Sequence, residues 1–225
     1  MHPRLIPFPA FFAFAATVAL AQDPVQVSPG SFKIAIDNTW VRTLRETVGP
    51  HEKVAMHGHP ESVVVYLTDV RERLTGADGK VREVTHKKDD VAYFDAASYS
   101  EENLSGAAME QVVIELKAAA NGHTSMPVAL DPVKLDGEHH LVPVENDRVR
   151  VLRTILEPHL KSPLHEHPHY VVVYLTELHT TMKMADGRVV DNPRKPGVID
   201  WRDDLKHETE NIGEKTAMEI QVEIK

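Results

Sequence analysis

Histidines at alternate positions mark the stretch of this chain best suited to chemistry. In Leu164-His-Glu-His-Pro-His-Tyr-Val-Val-Val-Tyr-Leu175, His165, His167 and His169 lead straight into a β-branched, apolar run. Side chains on a strand alternate between faces, so His165 and His167 share one face, joined by His169 if the strand continues through Pro168. Proline makes that continuation unreliable and places His169 at the rim of the site. Imidazole is the commonest protein ligand for transition metals, and two converging from one strand suit a metal held inside a β-barrel. A further ligand has to come from elsewhere in the chain. His207, 40 residues beyond His167 in Leu205-Lys-His-Glu-Thr-Glu-Asn211, is the candidate. The competing reading is a set of ordinary surface or hydrogen-bonded histidines, which for any lone histidine is the better one. Recurrence of His-x-His at a second locus reverses that balance.

Those side chains need a folded scaffold, and the composition supplies one. The protein has 225 residues, 42% hydrophobic and 26% charged, in the range of a globular chain with a real core. A formal net charge of -9 and the lack of a long basic run argue against a nucleic-acid partner, whose affinity depends on clustered Lys and Arg. With Cys 0, any metal must take nitrogen and oxygen donors, which suits a divalent transition metal.

The first residues speak to compartment. Arg4 precedes an apolar run from Leu5 to Leu20, and Ala19-Leu-Ala21 places small residues where a signal peptidase reads. Residues 1–21 are therefore expected to be a signal peptide, leaving a periplasmic or secreted protein that begins at Gln22 and has no membrane anchor. Pro7 and Pro9 shorten the apolar run below the roughly 20 residues a bilayer span needs.

The chain then repeats itself at an offset of 108 residues, as from His57 to His165. Asp23-Pro-Val25 returns as Asp131-Pro-Val133, Val41-Arg-x-Leu-Arg45 as Val149-Arg-x-Leu-Arg153, and His57-x-His59-Pro60 as His165-x-His167-Pro168. Val63-Val-Val-Tyr-Leu-Thr68 returns as Val171-Val-Val-Tyr-Leu-Thr176, and the register holds through Ala77-Asp-Gly79 and Glu102-Asn103. A repeat this long is a whole domain rather than a solenoid unit. Two domains follow, 23–117 and 131–225, joined by a linker over 118–130 rich in small residues with an Asn-Gly pair and a proline. Short alternating apolar runs and the Asp-Gly turns at 78–79 and 186–187 predict an all-β fold of antiparallel hairpins closed into barrels or sandwiches.

The copies differ where chemistry is concerned. Repeat one keeps His57 and His59 but has Tyr99 in the place of His207 and Glu61 in the place of His169. Two histidines with Glu61 would make a metal site. A phenol with a pKa near 10 is a poor ligand until deprotonated, so a degenerate first site is the better reading. His51 and His159 follow prolines in turns, Tyr66 and Tyr174 read as core or pocket lining, and Arg42, Arg45, Arg150 and Arg153 read as salt-bridge partners before they read as anion binders.

Pro163-x-His165-x-His167-Pro168 with its valine strand, followed by Gly197-Val-Ile-Asp-Trp201 and His207-Glu-Thr-Glu-Asn211, resembles the two sequence motifs of the cupin superfamily, and the duplication resembles a bicupin. The resemblance implies two tandem antiparallel jelly-roll-like barrels with a metal inside the second, carried by His165, His167 and His207. It departs from the family pattern at Val171 and Val172, where a ligating glutamate is usual, which implies three-histidine ligation similar to that of thiol dioxygenases and some diketone-cleaving cupins. By that resemblance iron(II) is the first choice of metal, with manganese, nickel, copper and zinc as alternatives. The superfamily spans many reactions, so the fold does not name one. Two functions are carried forward: a metal-dependent enzyme, dioxygenase-like or related, acting on a small oxygen-rich or carboxylate substrate, and a noncatalytic binding or structural protein. A homodimer is a further expectation. Because metal-bound imidazoles must be neutral, metal is expected to leave below about pH 6.

Overall fold

A computed structural model describes residues 22–118 and 126–225, so the expected signal peptide and most of the expected linker lie outside the described residues. The first half runs α1 (Pro24–Val27), β1 (Phe32–Asp37), β2 (Val41–Val48), β3 (Lys53–His59), β4 (Ser62–Tyr66), β5 (Val70–Gly76), β6 (Val81–His86), β7 (Val91–Phe94), β8 (Ala97–Asn103) and β9 (Met109–Leu116). The second half runs α2 (Pro132–Leu135), β10 (His140–Glu145), β11 (Val149–Leu156), β12 (Lys161–His167), β13 (Tyr170–Tyr174), β14 (Leu178–Met184), β15 (Val189–Arg194), β16 (Ile199–Arg202), β17 (Leu205–Asn211) and β18 (Ala217–Ile224). The sheets repeat as well. A five-stranded sheet β1-β2-β9-β4-β7 faces a four-stranded sheet β3-β8-β5-β6, and β10-β11-β18-β13-β16 with β12-β17-β14-β15 form the second pair. The fold is all-β and antiparallel throughout.

Local chemistry sets the turns. Gly79 (φ 78) and Gly187 (φ 86) take the left-handed conformation that the β5–β6 and β14–β15 hairpins require, and Asp78 and Asp186 accept hydrogen bonds from the amides of Lys80 and Arg188 at 3.0 Å. The four-residue helices α1 and α2 are capped by Asp23 and Asp131, whose carboxylates accept from Val25 and Val133.

The uninterrupted valine strands have a packing reason. In β4 and β13 every residue is buried, which a strand with one solvated face does not show. Val63 and Val65 from one half meet Val171 and Val173 from the other in a shared core that also takes Val112, Ile114, Ile220 and Val222. The alternate residues turn inward: Val64 and Tyr66 fill the first barrel, and Tyr170, Val172 and Tyr174 fill the second. The two five-stranded sheets thus pack back to back. Arginines pin the same interface reciprocally, with Arg45 donating to the carbonyl of Gly197 and Arg153, its repeat counterpart, donating to that of Asp89. No helix of the described residues is long and apolar enough to cross a membrane.

Because the shared core binds the halves together, the protein should unfold in one cooperative transition. Val173→Ala should lower stability by about 2 kcal/mol in urea denaturation, the cost of buried methyl groups plus the cavity they leave. Val189→Ala on the exposed face of β15 should change it by less than about 0.5 kcal/mol.

Candidate metal centre

Strand β12 carries His165 and His167 two residues apart, and both point into the second barrel. A bulge precedes them. The pairing of β12 with β17 slips between Ser162 and His165, and Pro163, which has no amide proton to offer a ladder, sits in the slip. The bulge frees the Pro163 carbonyl to accept a hydrogen bond from His165 Nδ1 at 2.7 Å. Repeat one uses the same device, with His57 Nδ1 on the Ala55 carbonyl at 2.8 Å.

Directly across the strand pair from His165 is His207 of β17. The rings of His165 and His207 lie 4.6 Å apart between centroids, those of His165 and His167 4.9 Å, and those of His167 and His207 5.6 Å. Among the described residues, these three histidines form the group whose ligand atoms all lie within 4.8 Å of one another. All three are buried, with relative exposures of 1%, 1% and 3%.

His167 is held by a buried charged chain. Its Nδ1 donates to Glu223 Oε1 at 2.8 Å, Arg150 Nε donates to Glu223 Oε2 at 2.5 Å, and Arg150 Nη1 reaches the α2 cap Asp131 at 2.9 Å. A proton on Nδ1 leaves the Nε2 lone pair free, and His167 Nε2 is buried without a partner. His207 likewise has a buried, unpartnered Nδ1. Burial, followed by neighbouring positive charge, holds the His167 and His207 imidazoles well below their ordinary pKa, and burial lowers that of His165. Three neutral imidazoles with free, converging nitrogens and no thiolate fit a divalent transition metal.

The other sequence candidates fall in different places. His169 leaves the barrel because Pro168 ends β12; its ring packs 5.2 Å from Trp40 and 5.7 Å from Trp201, with Asp204 3.1 Å away. The alternative in which the strand continues through Pro168 and His169 joins the face of His165 and His167 is corrected by that break. Glu61 is also corrected, because the β3–β4 turn aims it at Arg148 of the second half rather than at His57 and His59. In the first barrel His57 and His59 keep the paired geometry, 5.0 Å between ring centroids, with Tyr99 5.1 Å from His57 in the position of His207. Burial first, then Glu46, pushes the Tyr99 phenol well above its ordinary pKa, so it stays protonated. Arg42 and Arg150 are salt-bridged inside the structure, and His51 and His159 occupy left-handed turns.

One residue escaped the sequence reading. His140, at the start of β10, is buried 5.1 Å from the His165 ring, its Nδ1 bonded to the Asp136 carbonyl at 3.0 Å, and burial lowers its pKa to about 4. The signal was present in the repeat, since Phe32 holds the same place against His57 at 5.1 Å.

No protein-family model matches the sequence, and no curated protein does. Solved structures match in shape. AerE from Microcystis aeruginosa aligns with 87% of this chain and 97% of its own at 15% identity and a TM-score of 0.60. A variant of oxalate decarboxylase from Bacillus subtilis aligns with 82% of this chain and 68% of its own at 12% identity and a TM-score of 0.57. A variant of salicylate 1,2-dioxygenase from Pseudoaminobacter salicylatoxidans aligns with 82% and 71% at 10% identity and a TM-score of 0.55. The fold is that of two tandem cupin barrels. At these identities the likeness extends to the fold and no further.

His165→Ala or His207→Ala should abolish stoichiometric metal binding, read as metal per chain after dialysis. Glu223→Gln should weaken it about 10- to 100-fold by loosening His167. The depressed imidazole pKa values change the expected acid limit. Protons compete only when they reach the folded-state pKa, which burial holds below the ordinary value at all three ligands, so metal should persist below the pH of about 6 expected from free histidine. Metal release followed against pH checks this.

Proposed function

We propose that the second barrel is a metal-dependent catalytic site for a small carboxylate, in a protein exported by way of residues 1–21. The observation that carries the reading is the buried histidine triad, one member of which, His207, reaches a cavity that also holds a guanidinium group. His207 lines that cavity together with Arg202, Asn192, Thr180 and Glu219. Arg202 donates to Asp200 and to Asn192 Oδ1, both at 3.2 Å, while Arg194 shares Asp200 at 2.7 Å. Two guanidinium groups against the one ionised carboxylate of Asp200 leave a surplus positive charge for an anionic substrate while the Glu219 carboxyl holds its proton. The free space is about 30 Å³, so the substrate has few non-hydrogen atoms beside the metal.

A bound divalent ion, held by His165, His167 and His207, would supply Lewis acidity and open coordination positions. The chain supplies the rest. Arg202 orients the carboxylate, the apolar residues Leu156, Val172 and Met182 limit water, and Glu219 handles a proton. Burial raises the Glu219 carboxyl to about 7, poised for general acid or base work near neutral pH, and Gln221 Nε2 donates to its Oε1 at 2.6 Å. The first barrel has Gln111 in its place, which cannot carry out that exchange. Support for the reaction class comes from the neighbours named above, one a decarboxylase and one a dioxygenase. Iron(II) and manganese(II) are the ions to load first.

Metal-loaded protein screened against small mono- and dicarboxylic acids should show carbon dioxide release or oxygen uptake that disappears in His207→Ala. Glu219→Gln should lower kcat about 100-fold or more and remove a pH-profile limb near 7 while metal content stays unchanged. Arg202→Gln should chiefly raise KM. A protein that binds metal and acid without turnover would establish the noncatalytic binding function instead. Amino-terminal sequencing of protein recovered outside the cytoplasm should begin at Gln22.

A further inference from the structure

The first barrel has exchanged the metal chemistry of the second for a cluster of acids. Glu46, Glu72 and Glu101 point into it, at relative exposures of 1%, 4% and 3%. The repeat places Thr154, Thr180 and Thr209 at these positions in the second barrel, and Tyr99 where that barrel has His207. A cavity of about 280 Å³ opens beside them, bounded by Glu72, His59, Tyr66, Tyr99 and Gln111.

Once its carboxyls ionise, the hydrogen-bond inventory of this interior is dominated by acceptors. Glu101 shares side-chain hydrogen bonds with Glu46 and Glu72 while the carboxyls hold protons, and Gln111 Oε1, His57 Nε2 and His59 Nε2 are buried without a partner. The Gln111 amide is oriented by its Nε2, which donates to Glu46 Oε2 at 2.7 Å, so its oxygen faces away as an acceptor. His57 and His59 spend their Nδ1 protons on the Ala55 carbonyl and on Glu115, both at 2.8 Å, so each Nε2 is an acceptor too. Every one of these atoms therefore accepts when the carboxyls are ionised. Buried acceptors left unmet are costly, and a ligand rich in N–H donors would satisfy them.

Charge points the same way. The exposed Arg82 and Asp95 at the edge of the cavity carry opposite charges, so the interior becomes anionic as its buried carboxyls give up their protons to an entering cation. A point ion is a poorer occupant than an extended one. Among the described residues the convergent ligand group is the histidine triad of the second barrel, whereas in the first barrel Glu72, His59 and Gln111 are spread around a space large enough for a small molecule. The aromatic walls Tyr66 and Tyr99 add faces that attract a cation.

We propose that the first barrel binds a small organic cation bearing N–H donors, an amine or guanidinium compound, with Glu72 and Gln111 of the cavity wall as its principal contacts and Glu101, hydrogen-bonded to Glu72, behind them. Burial and then Glu46 raise the Glu72 carboxyl to about 8 and that of Glu101 well above its ordinary value, so the empty barrel holds protons that the cation displaces. Binding therefore releases protons at neutral pH and strengthens as pH rises toward 8.

The test is calorimetric titration of the full-length protein with putrescine, with guanidinium and, as a cation lacking N–H donors, with tetramethylammonium. Saturable binding of putrescine or guanidinium at one per chain is expected, with a heat that varies with buffer ionisation enthalpy and tetramethylammonium at least tenfold weaker. Glu72→Thr and Glu101→Thr, each importing the second barrel's residue, should weaken binding at least tenfold while thermal unfolding confirms that the variants are folded. His207→Ala should leave binding unchanged, which separates this site from the metal centre. Absence of saturable binding at millimolar concentrations, equal binding of tetramethylammonium, full binding by the folded Glu72→Thr and Glu101→Thr proteins, or displacement of the amine by manganese(II) in the His207→Ala protein would each overturn the proposal.

Discussion

Much of this structure depends on a carboxylate placed where water cannot reach it. Glu223 accepts from His167 on one side and from Arg150 on the other, and Arg150 continues to the helix cap Asp131. Burial drives the Glu223 carboxyl toward its neutral form, and Arg150 draws it back. Removing one member would leave an uncompensated buried charge, which is far more costly than the net worth of the intact chain. The arrangement ties β11, β12, β18 and α2 to the orientation of one imidazole. Repeat one preserves it residue for residue as His59, Glu115, Arg42 and Asp23. Fold and site are coupled through these charges in both halves.

Conservation of that frame makes the divergence within it informative. The backbone of each barrel, the bulge before the paired histidines and the Asp-Gly hairpins recur, while the interior is rewritten. His140 stands for Phe32, His207 for Tyr99, and three threonines for three glutamates. Free space changes with them, from about 280 Å³ in the first barrel to about 30 Å³ in the second. One barrel collects neutral nitrogen donors that converge; the other collects oxygen acceptors that surround a cavity. These are different recognition chemistries on a common scaffold, as expected when function resides in the site rather than in the fold.

The back-to-back packing of the five-stranded sheets explains how two such interiors coexist. Each sheet sends alternate residues into its own barrel and into the shared core, so Val64 serves the first interior while Val63 and Val65 serve the interface. Substitutions on one face need not disturb the other. The reciprocal Arg45 and Arg153 bonds to turn carbonyls of the opposite half fix the two barrels against one another with little demand on either interior.

The sequence by itself determined the duplication, the all-β class, the hairpin turns and the pairing of His165 with His167, because periodicity of two and a repeat register are local, linear signals. It also nominated His207, since a histidine near the expected closing strand was the available third donor. It could not determine which way the chain turned after Pro168 or Pro60, so His169 and Glu61 stayed open as candidates, although the turns carry both away from the histidine pairs. Nor could it show that Glu46, Glu72 and Glu101, separated in the chain by 26 and 29 residues, share one interior. That depends on strand pairing between β5 and β8 and on the face each strand presents. Tertiary structure decided these matters because burial, the absence of partners and the convergence of side chains are properties of a closed barrel, and a strand read singly has none of them.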